Sequence, residues 1–306
     1  VYPGRRVTWG RLFGEDDATS SEEGNAPSGL DSDDFISGYS PLSSSGNKWD
    51  VPALYINIDA AREDIMQRRI AELAPRASIR RFVGKDGRSE QVCNWFASKD
   101  AGLGHDNVPG TVCTTLSHWL AIHEFFLRYP TENFLVVLED DVSFDLVPFW
   151  PGSLRMLLES VSQTHPGWQI LNLAPSNEDA RQVIHWMAGE FYRPYMRNQE
   201  GKPVFEGAIA YAVHRDADLG SLAGAAAACA EPQHVQAQLA TCKTMLHAHA
   251  DQIIYDMTTA MSVTMPLLRI DPSIRSLRKR GELNRRHVRA CDSHLTEWLF
   301  LQWISQ

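Results

Sequence analysis

The sharpest change from apolar to polar residues in the chain lies at 134–142. Five apolar residues, 134–138, are followed directly by Glu139, Asp140 and Asp141. A short apolar run that includes β-branched residues is typical of a strand buried on both faces, as in the middle of a parallel sheet. The pattern therefore predicts a central strand that carries three acids at its carboxyl end.

The chain on the amino-terminal side of this run predicts alternating strands and helices. Apolar spacing predicts a strand at 53–59, a helix at 60–73 and a second strand at 79–83. A longer helix is predicted at 114–129, where Pro130 ends it. Strands that alternate with helices are typical of a mostly parallel sheet flanked by helices, so we predict an α/β fold.

Composition divides the chain into three parts. Residues 1–50 are rich in Ser, Gly, Asp and Glu, which predicts a flexible or surface-lying extension. Residues 51–275 hold the alternating pattern and form the predicted domain. Residues 276–306 contain a basic run at 278–286 and a predicted apolar helix at 295–304. The basic run is typical of a solvated face; contact with a diphosphate, an anionic acceptor or a membrane surface is the alternative.

Length, charge and hydrophobic content exclude several classes of protein. The chain has 306 residues and is 43% hydrophobic, which excludes wholesale disorder. Its formal net charge of −9 argues against binding of nucleic acid, because nucleic-acid-binding surfaces are basic. No stretch approaches the roughly eighteen consecutive apolar residues that a membrane-spanning helix needs.

The five cysteines are widely spaced along the chain. Their odd number and spacing resemble neither a zinc site nor a disulfide framework. We therefore expect buried free thiols. A bridge between Cys229 and Cys242 is the alternative if the protein folds in an oxidising compartment.

The three acids after the apolar run would lie at the edge of the sheet where ligands bind in α/β folds. Adjacent carboxylates repel one another unless a positive group neutralises them. Carboxylate oxygens suit Mg²⁺ or Mn²⁺, and Mg²⁺ is often held by one or two carboxylates together with substrate phosphates. The sequence leaves two interpretations open at this point, a cation site and a solvated acidic turn.

Six short blocks of the sequence resemble glycosyltransferase family 25, which includes bacterial lipooligosaccharide galactosyltransferases and eukaryotic collagen galactosyltransferases. The blocks are Ile56–Asp59, Gly84–Gly87, Leu116–His118, Leu138–Asp141, Gly207–Tyr211 and Asp251–Ile254. They follow the family's order over residues 52–275, and the shared order is more specific than any single block. The family usually has an arginine just after the first block, where this chain has Ala60 and Ala61 and its nearest arginine is Arg62.

The resemblance implies a GT-A-type, Rossmann-like fold that binds a UDP-sugar, commonly UDP-galactose, together with Mn²⁺ or Mg²⁺. The sugar would pass with inversion to a hydroxyl of a glycan or glycoprotein acceptor. The cation would stabilise the diphosphate as it leaves. The implied metal ligands are Asp141 and Glu139, and Asp140 or Glu139 would contact the ribose or reach the metal through water.

Five further residues are expected to line the nucleotide-sugar site. They are Asn57, Asp59, Asp86, Ser117 and His118. Local structural roles stay open beside this one, because Asn and Asp favour helix caps and Asp favours turns. A histidine inside a helix is more often a packed or hydrogen-bonded structural residue than a ligand contact.

Inversion by direct displacement needs a base for the acceptor hydroxyl, opposite the leaving diphosphate. Asp251 is the candidate base, and Asp140 is the second catalytic candidate. A helix cap is the alternative role for Asp251. His247 and His249 could also supply a metal ligand or a proton path.

Two rival functions stay open on the sequence. A metal-dependent phosphohydrolase could use the same acids to activate water, although it would ordinarily need a second metal and more ligands. A non-catalytic relative could bind a nucleotide sugar or glycan without turnover. The acceptor would meet variable loops, which we expect at 91–110 and 175–205. The compartment stays undetermined: relatives in eukaryotes work in the secretory lumen (ER or Golgi), and bacterial ones at the cytoplasmic face of the membrane.

Overall fold

The computed structural model describes most of the predicted domain. The described residues are 48–91, 93–94, 109–150, 152–175, 192–194, 207–231, 239–246, 249–263, 266–271 and 289. In this part of the chain, no helix has the length and apolar character that crossing a membrane requires.

Nine strands and six α-helices make up the described structure. The strands are β1 (Ala53–Asn57), β2 (Ile79–Val83), β3 (Phe134–Glu139), β4 (Val142–Ser143), β5 (Ile170–Asn172), β6 (Tyr192–Pro194), β7 (Ala210–His214), β8 (Ala260–Val263) and β9 (Arg269–Ile270). The helices are α1 (Ala60–Leu73), α2 (Pro109–Arg128), α3 (Leu154–Thr164), α4 (Ala217–Ala228), α5 (Leu239–Leu246) and α6 (Ala250–Asp256), and a short 3₁₀ helix spans Val147–Phe149.

The main sheet has seven strands in the order β2-β1-β3-β7-β5-β8-β6, and β4 pairs with β9 in a separate ribbon. Strands β2, β1 and β3 run parallel to one another. Strand β7 is antiparallel to both β3 and β5, so β5 shares the direction of β3. Strand β8 is parallel to β5, and β6 is antiparallel to β8. Five of the seven strands therefore point the same way, which confirms the predicted α/β fold with a mostly parallel sheet.

Helices cover both faces of the sheet. Successive side chains of a strand point to opposite sides, so the apolar residues of β3 need a helix on each face. Val136 and Leu138 of β3 belong to a core cluster with side chains of α1 and α3. Leu135 and Val137 belong to a second cluster with side chains of α2, α4, α5 and α6. Strand β3 is thus buried on both faces, as its continuous apolar run predicts.

The predicted boundaries hold for α1, β2 and most of β3 but differ elsewhere. Strand β1 ends at Asn57, and Asp59 caps α1 by accepting a hydrogen bond of 2.9 Å from the backbone N–H of Ala61. Helix α2 begins at Pro109, five residues before the predicted start at 114. Proline is favourable at the first helical position, where its missing N–H costs no hydrogen bond.

Strands β5, β7 and β8 have no counterpart among the predicted elements. Strand β5 has three residues and β8 has four, and such short runs give weak periodic signals. Strand β7 lies antiparallel in the centre of the sheet, so β3 is not flanked by parallel strands on both sides.

Four cysteines form two disulfides, Cys93–Cys113 and Cys229–Cys242, with Cα–Cα distances of 5.5 and 5.6 Å. Both distances suit a disulfide. The expectation of free thiols is therefore wrong for these four residues, and the bridge between Cys229 and Cys242 is the alternative that holds. The other pair is separated by 20 positions and meets only because folding brings residue 93 beside Cys113 of α2.

Several sequence predictions lie wholly or largely outside the described residues. They concern the extension up to residue 47, most of the segments 91–110 and 175–205, the basic run 278–286 and the apolar helix 295–304. These stay predictions.

Candidate active site

The three consecutive acids at the end of β3 contact different neighbours, because successive side chains point to opposite sides. Glu139 is the last residue of β3 and shares the face of Leu135 and Val137, which is covered by α2. Asp140 follows on the opposite side, towards α1. Asp141 lies in the turn before β4. Each acid therefore meets a different set of partners, although the three are adjacent in sequence.

Asp140 is engaged by two partners from the first strand–helix unit. Arg62 of α1 forms a buried ion pair with it, with side-chain exposures of 9% and 11%. The side-chain amide of Asn57 donates a hydrogen bond of 2.9 Å to Asp140 Oδ2. Burial raises the pKa of Asp140, the Arg62 guanidinium opposes this, and Glu139 and Asp59 add to the rise. Arg62 thus neutralises one of the three acids.

Asp141 is a buried acid whose carboxylate lacks a partner for one of its oxygens among the described residues. The residue is 9% exposed, and its Oδ1 has no hydrogen-bond partner within the described residues. Burial, and then the charges of Glu139 and Asp140, raise the pKa of Asp141 to about 7, against the effect of Arg62. Its backbone is held in place, because the N–H of Asp271 donates to the Asp141 carbonyl at 2.7 Å. A cation at this carboxylate would remove the electrostatic penalty.

Glu139 faces a buried histidine and tyrosine. His118 of α2 is fully buried, and its Nε2 lies 3.3 Å from Glu139 Oε1. His118 Nδ1 lies 2.9 Å from the hydroxyl of Tyr211 in β7, and the two rings stack with centroids 5.7 Å apart. Burial and the Glu139 charge raise the pKa of Tyr211 well above its ordinary value, so this phenol is neutral.

The loop after β2 is joined to α2 beside the acids. The backbone N–H of Lys85 donates to Ser117 Oγ at 2.8 Å, and Ser117 Oγ donates to the Cys113 carbonyl at 2.6 Å. A Cβ added to Gly87 would lie 2.7 Å from backbone atoms of Pro109 and Gly110, so glycine permits this close approach.

Asp86 lies in the same loop and pairs with its neighbour Arg88. Arg88 Nε and Nη2 donate to the Asp86 carboxylate at distances between 2.7 and 3.0 Å. The side-chain and backbone hydrogen bonds from Arg88 lower the pKa of Asp86. Asp86 therefore has the local turn contacts that were the alternative to nucleotide binding, and its carboxylate stays half-buried at the sheet edge.

The start of β7 brings a third segment to the acidic edge. The backbone N–H of Glu139 donates to the Ile209 carbonyl at 2.7 Å, just beyond Gly207, whose φ is +106°. Tyr255 of α6 donates from its hydroxyl to the Gly207 carbonyl at 2.7 Å. Position 251 lies in the first turn of α6, one turn before Tyr255. The helix that carries the candidate base is thus tied to the segment beside Glu139.

A divalent cation fits this edge on the chemistry of its donors. Asp141 offers a buried carboxylate oxygen without a partner, and Glu139 supplies a second carboxylate whose charge is felt at Asp141. Within the described residues, no group of three or more His, Cys, Asp or Glu side chains forms a complete cage for a metal. Mg²⁺ needs only one or two carboxylates when water and substrate phosphates complete its shell. Glu139 and Asp141 would therefore hold the ion together with a phosphate-bearing ligand.

The structure brings together most of the residues that the sequence predicts for the site. Asn57, Ser117, His118 and the three acids lie along one edge, and Asp59 is close enough for its charge to raise the pKa of Asp140. Asn57, Ser117 and His118 are buried and bonded to protein groups, so their described contacts hold the edge in shape.

The sequence predictions did not assign a site role to three residues that contact the acidic edge or the segment beside it: Arg62, Tyr211 and Tyr255. Arg62 lies two positions after Ala60, where the family pattern places its arginine nearer the strand end. Tyr211 is the last residue of one matched block and Tyr255 directly follows another, so both lie near sequence signals although neither had a stated role.

Of the two histidines named as a possible metal ligand or proton path, His249 directly precedes α6 and His247 lies outside the described residues.

Comparisons with known proteins give a weak structural likeness. No model of a known protein family matches the chain, and no curated protein matches it. One similar solved structure is a glycosyltransferase involved in the glycosylation of the major capsid of PBCV-1, with 9% identity, a TM-score of 0.30 and coverage of 57% of this chain and 65% of that one. Another is mouse xyloside xylosyltransferase 1 in its apo form, with 16% identity, a TM-score of 0.30 and coverage of 68% of each chain.

Both of these structural neighbours are glycosyltransferases, and this chain spans about two thirds of the length of each. At these TM-scores the likeness carries no argument about fold or activity.

Proposed function

We propose that this protein is a metal-dependent glycosyltransferase of the family 25 type. It transfers a hexose, galactose in our proposal, from a UDP-sugar to a hydroxyl of a glycan or glycoprotein, with inversion at the anomeric carbon. The proposal rests on the blocks of sequence that resemble this family and on the acidic edge to which five of those blocks contribute described contacts.

The observation that carries the proposal is the state of Asp141. A buried carboxylate with a free oxygen and a pKa raised to about 7 is unfavourable in a protein that binds nothing there. A cation between this carboxylate and a diphosphate relieves both negative groups. Such an ion, when bound, stabilises the charge that develops on the leaving diphosphate without a proton transfer.

Five acids of this chain are assigned to the metal ion, the floor of the site and the nucleoside. Glu139 and Asp141 are assigned to the metal ion. Asp140 is assigned to the floor of the site, because Arg62 and Asn57 hold its carboxylate. Asp59 and Asp86, both half-buried at the ends of β1 and β2, are assigned to the nucleoside.

Asp251 is proposed as the base that takes the proton of the acceptor hydroxyl. Its helix is joined to the acidic edge through the hydrogen bond from Tyr255 to Gly207, which supports a place near the sugar. A base in an inverting enzyme must lie within hydrogen-bond reach of the acceptor hydroxyl, on the side opposite the diphosphate.

Calorimetry and a turnover assay test the proposed function together. We expect UDP and UDP-galactose to bind in the presence of Mn²⁺ and to lose binding when EDTA removes the metal, with UDP-glucose as the comparison for the sugar. UDP release from UDP-galactose should rise when a suitable glycan acceptor is added. Release that needs no acceptor would identify a hydrolase, and binding without any release would identify a non-catalytic protein. No binding of any nucleotide would contradict the proposal.

We infer further that the protein works in an oxidising compartment such as the secretory lumen. The two disulfides support this, because glutathione and thioredoxin keep most cytosolic thiols reduced. Cells that make this protein naturally are treated with an alkylating reagent before lysis, so that free thiols are blocked. Peptide mapping should then find the peptides of both cysteine pairs joined by disulfides. Free thiols at all four positions would contradict this assignment.

A further inference from the structure

Tyr211, His118 and Glu139 form a buried row that ends at the acidic edge. The hydroxyl of Tyr211 lies 2.9 Å from His118 Nδ1, and His118 Nε2 lies 3.3 Å from Glu139 Oε1. Tyr211 and His118 are fully buried, while the side chain of Glu139 is 32% exposed. The row therefore leads from the core of the protein to a carboxylate that solvent and ligands can reach.

The surroundings of His118 select one tautomer. A lone pair on Nε2 would face the Glu139 carboxylate and be repelled, so Nε2 carries the hydrogen. In a neutral imidazole Nδ1 is then an acceptor, and the Tyr211 hydroxyl donates to it. The phenol has a hydrogen to give, because burial raises the pKa of Tyr211 well above its ordinary value.

The contact between His118 and Glu139 is not yet an aligned hydrogen bond. His118 Nε2 has no hydrogen-bond partner within the described residues, although it belongs to a residue with no exposed surface. A buried N–H without a partner is costly, and the Glu139 carboxylate is the acceptor beside it. Because the Glu139 side chain is 32% exposed, a rotation of its carboxylate would complete the bond. Hydrogen bonds of this kind often tighten only when the ligand binds.

We infer that Tyr211 and His118 are positioning residues, which lock the Glu139 carboxylate in the orientation that the donor complex requires. This inference rests on the proposed function, because the donor complex is the UDP-sugar with its metal ion. It assigns a role to Tyr211 that sequence matching alone did not, and it changes the role of His118 from nucleotide contact to support of Glu139. Supporting hydrogen bonds of this kind fix the ligands of many metal sites.

Ser117, the neighbour of His118 in α2, contacts the chain at the end of a second strand. Ser117 holds the Lys85 backbone after β2, while His118 faces Glu139 at the end of β3. The two side chains thus join the ends of an outer strand and a central strand through one turn of α2. A packing role alone would explain the burial of His118 but not why Nδ1 contacts the Tyr211 hydroxyl while Nε2 lies 3.3 Å from Glu139 Oε1.

Tyr211→Phe is the most conservative test, since it removes one hydroxyl and keeps the ring. We expect the affinity for UDP with Mn²⁺ to fall by about 10- to 100-fold, the usual effect of removing such a support. Tyr55→Phe is the matched control, because Tyr55 is also fully buried in the sheet and its hydroxyl accepts a hydrogen bond of 2.9 Å from Gln67. The control should bind UDP with Mn²⁺ like the wild type. Equal affinity of Tyr211→Phe and Tyr55→Phe would overturn the inference.

Two substitutions of His118 separate support of Glu139 from packing. The amide nitrogen of Gln can occupy the place of Nε2 and donate to Glu139, whereas that of Asn lies near the place of Nδ1 and reaches only Tyr211. We expect His118→Gln to keep affinity within about 3-fold and His118→Asn to lose about 10-fold or more. The reverse order would overturn the inference.

Nitrogen-15 spectra of labelled histidine give a readout that does not need the ligand. The wild-type protein should show hydrogen on His118 Nε2, and Tyr211→Phe should shift the Nδ1 resonance as the donor is lost. Hydrogen on Nδ1 in the wild type would overturn the inference even if UDP binds. If UDP fails to bind while the expected tautomer is present, the proposed function fails and the buried row stands as a support of Glu139.

Discussion

Asp141→Asn is expected to weaken the manganese-dependent binding of UDP by about 100-fold or more, the cost of losing one partner of a buried charged contact. The substitution keeps the size of the side chain and removes the charge. The carboxylate of Asp141 is buried beside Glu139 and Asp140, so it is the acid that gains most from a cation. Calorimetry of UDP in the presence of Mn²⁺ measures the effect.

Asp216→Asn is the matched control for this change. Asp216 caps α4 after the carboxyl end of β7, which is the opposite edge of the sheet. Asn caps helices about as well as Asp, so the control should fold and bind UDP with Mn²⁺ as the wild type does. Equal affinities of the Asp141 and Asp216 variants would show that the metal lies elsewhere.

The stability of Asp141→Asn separates lost binding from lost structure. Because the pKa of Asp141 is raised to about 7 from its ordinary value of 3.8, the folded wild type binds a proton between these values that the unfolded chain has released. Its stability therefore falls as the pH rises through this range and levels off above about pH 7. In EDTA at pH 8 the Asn variant should unfold at higher urea than the wild type. A less stable variant would contradict the assigned cause of the pKa shift.

Arg62→Met is expected to destabilise the protein by about 3–5 kcal/mol, because it leaves the charge of Asp140 buried without its cation. The side chains of this ion pair are only 9% and 11% exposed. The long apolar side chain of Met fills the space that the arginine stem occupied. Urea unfolding followed by tryptophan fluorescence measures the loss.

Arg81→Met of strand β2 provides the comparison, because it breaks a second ion pair with the same helix. Arg81 pairs with Glu63 of α1, and these side chains are 25% and 32% exposed. We expect a loss below about 1 kcal/mol, as for other ion pairs that water reaches. The double variant Arg62→Met/Asp140→Asn should recover part of the loss, since it also removes the uncompensated charge. If Arg62→Met costs no more than Arg81→Met, the ion pair with Asp140 contributes little to the fold.

The structure confirms the predicted helices and strands whose apolar residues form a clear pattern over the whole element. Helix α1 spans residues 60–73 and β2 spans 79–83, as predicted. The predicted strand at 134–138 gains only Glu139 at its end. Apolar spacing is a local property, and elements that bury apolar side chains show it in the sequence, as α1 does through Met66 and Ile70 and β3 does through residues 134–138.

The elements that the sequence missed depend on partners far along the chain. Strand β7 joins β3 and β5 in an antiparallel pairing that no local signal announces. The disulfide between Cys93 and Cys113 forms because folding brings together two cysteines 20 positions apart. Spacing alone did not select this pair among five cysteines.

The sequence by itself determined the α/β class, the buried central strand and the presence of three acids at its carboxyl end. Only the tertiary structure decided which acid meets which partner. The contacts of Asp140 with Arg62 and Asn57, and of His118 with Tyr211, join residues 78, 83 and 93 positions apart. The pleat sends Glu139 towards α2 and Asp140 towards α1, whereas Asp141 is buried and its Oδ1 has no partner among the described residues. Adjacent residues of one chemical type thus acquire different surroundings, and burial and neighbouring charge set the pKa of a carboxylate.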